Sequence, residues 1–235
     1  MGLFDWFTKE GRLKNHVARM SNLDTHADDR DASLKWLVRE GSAQALLGLL
    51  SRFDLNLSQR VKDQSEKDQV FEALREIGEP VVKPLRAWIR QCKQPLIPLR
   101  LLIELQGENS AIELVFEVLE NERVKNQFQP EKKLQLLVWL SERRHAGMVA
   151  AAAPHLTDFD ENVRYAAVEA LAFQEDDAVA APLLAVITNP KEDSNRLRFR
   201  IADLFATRSW PVSDPAVASA LPEGYAVADG RVVRR

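Results

Sequence analysis

The chain has four histidines, His16, His26, His145 and His155, and one cysteine, Cys92, so metal and nucleophile chemistry have few residues to draw on. A metal site on one helix needs ligands a turn apart, as in His-Glu-x-x-His. No histidine here has that spacing, and no His-Glu pair occurs. Helical-repeat hydroxylases that hold iron depend on such pairs, so that class is not expected. Isolated histidines on helices read as surface or satisfied core residues. Cys92 follows Trp88 and Ile89 by one turn. A reactive thiol needs a cationic, accessible setting. Arg90 and Lys93 adjoin it in sequence, but a buried small hydrophobe is the simpler reading. Glycine-rich phosphate loops and a serine nucleophile elbow are absent from the sequence. No catalytic residue, cofactor or metal ligand is therefore assigned, and a non-enzyme is the expectation.

Trp36, Trp88, Trp139 and Trp210 have the ring chemistry to stack on bases. Trp36 and Trp139, however, each directly precede a recurring leucine, so core packing accounts for them. Lys and Arg number 32 against 35 Asp and Glu, a formal net charge of −3, whereas nucleic-acid binders carry a basic surplus. Nucleic acid is thus an unfavoured partner. Hydrophobic residues make up 46% and charged residues 29%, which excludes a disordered chain and fits a globular one. The lone cysteine excludes an internal disulfide framework, and a reducing, cytoplasmic setting fits best. No apolar run approaches the roughly 18 residues of a membrane span. The first residues lack an early basic region and carry Asp5, unlike a secretory signal.

The elements that position these residues repeat. A leucine-like position recurs at Leu37, Leu74, Leu105, Leu140, Leu171 and Phe205, in steps of about 31 to 37 residues. The last two copies align closely: Val163-Arg164-Tyr165 with Leu197-Arg198-Phe199, Ala167 with Ile201, and Leu171 with Phe205. A unit of this length cannot bury its own apolar face and must stack on its neighbours. Gly41, Gly78 and Gly107 punctuate the pairs, with Ser42 and Asn109 as caps and Pro80 in a first turn. Helices are expected near 8–21, 27–39, 42–52, 64–77, 80–92, 95–106, 110–120, 130–143, 146–156, 161–173, 178–187 and 194–207. Two long connections separate them, Asp54 to Asp63 and Asn121 to Gln129. The segment from Gly224 to Val233 places Asp229-Gly230 between β-prone runs, the pattern of a β-hairpin. The fold class is therefore all-α, an α-α superhelix of about six helical hairpins with a short C-terminal β-hairpin. Its parts are an N-terminal amphipathic cap over 1–24, a repeat solenoid over 25–210 and a tail with the hairpin over 211–235.

The run from Asp158 through Arg164 to Leu171 resembles the first helix of a HEAT repeat, in the bacterial HEAT-like form also found in phycobilisome lyases. Glu79-Pro80-Val81-Val82-Lys83-Pro84-Leu85 resembles the start of the second helix. The resemblance covers about 25–210. It implies a right-handed stack of antiparallel pairs whose second helices line a concave face. It also implies a ladder between repeats, from an Asp before the first helix and an Arg within it. Here those positions match Asp158 or Asp160 with Arg164, and Asp193 with Arg198. They read as structural ties.

On the second helix of the third pair, Lys83, Arg86, Arg90 and Lys93 share one face. On the next second helix, Glu113, Glu117 and Glu120 form a negative stripe. If second helices line the concave side, the two stripes lie side by side there. They read first as two solvated faces that pair with each other, and as the alternative as a surface that selects an oppositely patterned protein. At the N-terminus, Leu3, Phe4, Trp6 and Phe7 cluster ahead of Leu13, Val17 and Met20. They read as a cover for the open end of the first repeat, with a membrane surface or partner contact as the alternative. Gly2 lacks the myristoylation pattern, since Trp6 stands where Ser or Thr is required. The expected function is a non-catalytic scaffold or adaptor that binds a protein. The alternatives are a chromophore-attachment factor of the phycobilin-lyase type and, third, a nucleic-acid binder.

Overall fold

The computed structural model describes residues 8–125 and 130–235. Leu3, Phe4, Trp6 and Phe7 lie outside the described residues, and with them the choice between end cap and anchor. Helices dominate, and a small antiparallel hairpin closes the chain. The chain divides into two compact units at Leu114 and Val115.

The first unit holds α1 (Lys9–Met20), α2 (Ala27–Glu40), α3 (Ala43–Leu50), α4 (Arg60–Ile77), α5 (Glu79–Gln91) and α6 (Leu96–Gln106). It ends within α7 (Glu108–Lys125). A 3-10 turn, Ser51–Asp54, extends α3. Side-chain caps start two of these helices: Thr8 accepts from the Gly11 N–H and Ser42 from the Ala45 N–H. Gly41 ends α2 in the left-handed region (φ 65°), where a side chain would strain the backbone. Gly48 lets α1 close on α3, because a Cβ there would meet Val17 Cγ2 at 2.5 Å. Packing skips along the chain. α2 touches α4 and α4 touches α6, while α3 touches α5.

The second unit continues through α8 (Pro130–Leu140), α9 (Met148–Ala152), α10 (Glu161–Ala172), α11 (Ala180–Thr188), α12 (Asn195–Arg208) and α13 (Ala216–Ala220). It finishes with β1 (Tyr225–Ala228) and β2 (Arg231–Arg234), paired Tyr225 to Arg234 through Ala228 to Arg231. Asp229 (φ 49°) and Gly230 (φ 70°) make the two-residue turn that matches strand twist. The same skipping holds here: α8 touches α10 and α10 touches α12. The 3-10 segment Ala153–Thr157 touches α11, and β2 lies on α12.

Leu37, Leu74, Leu140, Leu171 and Phe205 are buried, as are the small Ala167 and Ala170. Leu105 is only half-buried. It stands in the last turn of α6, one residue before the helix ends, and Leu101 and Leu102 take the core instead. Two boundaries also move. α4 begins at Arg60, which shortens the expected connection after Asp54. α7 begins at Glu108, so Asn109 lies within the helix and does not cap it.

Candidate functional site

Lys83, Arg86 and Arg90 lie on α5, whereas Lys93, expected on the same helix face, falls two residues past the end of the helix. Lys83, Arg90 and Lys93 are exposed, whereas Arg86 is half-buried and donates from Nη1 to Ser110 Oγ at 3.0 Å. The backbone N–H groups of Lys93 and Gln94 donate to the Asp54 carboxylate at 3.1 and 3.0 Å, which ties the end of α5 to the 3-10 turn. On α7, Glu113, Glu117 and Glu120 are all exposed. That stripe crosses the division of the chain, with Glu113 in the first unit and Glu117 and Glu120 in the second. Arg123 bonds to Glu120 at 2.6 Å and holds its carboxyl below the usual range.

The positions matched to the inter-repeat ladder sort differently from their sequence order. Asp160 caps its own helix, accepting from the Asn162 and Val163 N–H groups at 2.8 and 3.1 Å. Asp158 takes Lys133 Nζ from α8 at 2.6 Å, and Lys133 is fully buried. Arg164 donates from Nη1 to the Asp158 carbonyl (3.1 Å) and from Nη2 to Glu192 (3.0 Å) and Asp193 (3.2 Å). Arg198 donates to the Glu192 carbonyl at 2.8 Å and the Ala220 carbonyl at 3.3 Å. Asp193 therefore reaches back to Arg164, while Arg198 takes the carbonyl of the neighbouring Glu192.

A common device emerges at the fourth residue of alternate helices. Arg30, Lys133, Arg164 and Arg198 all hold that place, each seven residues before a buried Leu or Phe. Arg30 donates to the Thr25 carbonyl ahead of its helix and reaches Glu66 of α4 at 2.8 Å. In α4 the sign inverts: Asp63 holds the fourth place, and Arg52 supplies the guanidinium at 2.6 Å. Arg52 also bonds Glu66 at 3.1 Å, and Lys67 bonds Asp63 at 2.8 Å. Burial works to raise the Glu66 carboxyl, but Arg30 and then Arg52 overcome it and hold it below its ordinary value. Asp63 behaves likewise, with Lys67 and Arg52 overcoming burial. Sequence reasoning missed this network. The one signal for it was the recurring cation at the fourth helical position.

Several aromatic and histidine candidates are engaged within the fold, whereas the buried Nε1 of Trp88 has no hydrogen-bond partner. His16 stacks on Trp36 at 4.5 Å and bonds Ser33. Arg143 lies 3.9 Å over the Trp139 ring, and Trp210 Nε1 donates to Asp177 at 2.7 Å. Cys92 is buried, with Sγ 3.6 Å from the Ile89 carbonyl. His155 departs from the satisfied-core expectation. It is buried, and its Nδ1 has no hydrogen-bond partner. Among the described residues no group of three His, Cys, Asp or Glu is placed to hold a metal ion. No helix of the described residues is long and apolar enough to cross a membrane. A cleft of about 680 Å3 opens between α2 and α4 above Arg30, Arg52 and Glu66. Comparison with protein-family models, curated proteins and solved structures gives no match.

Proposed function

We propose that this chain is a HEAT-like helical-repeat scaffold that docks a protein partner and carries out no chemistry itself. The observation that carries the reading is the skipping contact pattern, α2 to α4 to α6 and α8 to α10 to α12. Units that touch only the next like unit form a one-dimensional array, and such arrays present extended surfaces for binding. The recurring cation at the fourth helical position supports it, because each one ties its helix to the loop before it or the repeat beside it. The lone, buried Cys92 supports a reducing, cytoplasmic setting.

The docking face is the α5 stripe. Exposed charges of this kind add little to stability, about 0–1 kcal/mol per pair, but they steer association and set register. The test uses Lys83→Glu with Arg90→Glu and leaves Arg86 in its Ser110 bond. The tagged chain captures its partner from native extract at low salt, and capture weakens as salt rises. The double variant keeps the wild-type melting curve and loses capture. Undiminished capture by the double variant rejects the α5 face.

A further inference from the structure

The cleft between α2 and α4 has an apolar floor, formed by Met20, Leu34 and Val70. Beside them Arg30, Arg52 and Glu66 are already bonded to one another. Val61 stands at the mouth with 87% of its surface exposed. Val61, Ser65 and Gln69 also lie on the open, shallow face that continues along α4 as far as Glu76. The cleft thus opens onto one face of a helix of 18 residues, roughly 27 Å at 1.5 Å per residue.

Its rim is acidic. Asp28 and Asp31 stand on the α2 side, and Asp68, Glu72 and Glu76 follow at four-residue steps down α4. Arg60 and Lys62, at the start of α4, oppose them on the rim. Asp31 pairs with Lys35 and Glu72 with Arg75, but both pairs are exposed and open to exchange with a partner.

We propose that this groove takes an amphipathic helix of a protein partner whose apolar stripe is flanked by lysine and arginine. The inference rests on the scaffold reading and adds the chemistry of an occupant. The apolar stripe covers Val61 and the cleft floor, as in helix-in-groove recognition. The flanking cations meet Asp28, Asp68 and Glu76 directly and compete with Lys35 and Arg75 for Asp31 and Glu72. The small remaining carboxylate excess disfavours an acidic helix.

Two synthetic helical peptides of equal length and identical leucine stripe test it against the full chain, by fluorescence anisotropy. One is flanked by lysines and the other by glutamates. At low salt the lysine peptide binds about tenfold or more tightly than the glutamate peptide, and high salt removes most of that difference. Val61→Glu weakens the lysine peptide. The triple variant Asp68→Lys, Glu72→Lys, Glu76→Lys reverses the preference. All four positions are exposed, and circular dichroism confirms that the variants remain helical. Equal binding of the two peptides, no binding of either, or a lysine preference that survives the triple variant overturns the groove. If the Lys83→Glu, Arg90→Glu protein loses its native partner while the peptides fail to discriminate, the scaffold stands and this groove falls.

Discussion

His155 is held neutral by its surroundings. Burial pushes its imidazole down to about 4, against an ordinary 6.5. Asp158 and Glu120 pull it upward, while Lys133 and Arg123 add to the depression. The unfolded chain protonates this ring below about pH 6.5 and the folded chain resists until about 4. Stability from this residue is therefore complete above pH 6.5 and declines as pH falls through that window. Between pH 7 and pH 5 the loss is about 2 kcal/mol. Denaturant titrations at both pH values show it in the wild type, and His155→Leu abolishes that part of the slope. An unchanged slope in the variant contradicts the buried, neutral ring. The composition offered no clue to this residue, because burial of one helical histidine depends on what packs over it.

At the scale of helices, the tie between α2 and α4 is ionic and buried. Glu66 joins Arg30 and Arg52, neither of which is more than 4% exposed. Glu66→Gln leaves two buried guanidiniums short of a charge, and breaking one partner of such a set costs about 3–5 kcal/mol. Urea unfolding near pH 7 measures the loss, and a change below about 1 kcal/mol removes this network from the account. Because Glu66 and Asp63 are both depressed, their contribution is present above the unfolded carboxyl range and disappears as pH falls through their lower folded values. The helices themselves were legible, since period and caps are local properties: Ser42, Asp160 and the Asp229-Gly230 turn act where their chemistry places them. The ties were not, since Arg30 and Glu66 are 36 residues apart and nothing local pairs them. Charge at α5 was legible as a stripe, but the Arg86 to Ser110 bond required the neighbouring helix.

At the scale of the whole molecule, the proposed array rests on stacking of like units. The period in Leu37, Leu74, Leu140, Leu171 and Phe205 survives as a set of buried positions, while Leu105 shows that one unit departs from it. The acidic rim beside α4 has no local sequence signature, because two helices share it and only α4 carries the four-residue spacing. An array of nearest-neighbour units responds locally to damage, whereas a single cooperative core responds everywhere. Leu171→Ala removes a fully buried side chain from α10 and costs about 2–5 kcal/mol. Native-state hydrogen exchange on the wild type and on this variant is the most direct test. The proposed array predicts that protection falls most in α10, less in α8 and α12, and stays at the wild-type level in α2 and α4. A uniform loss across every helix contradicts it.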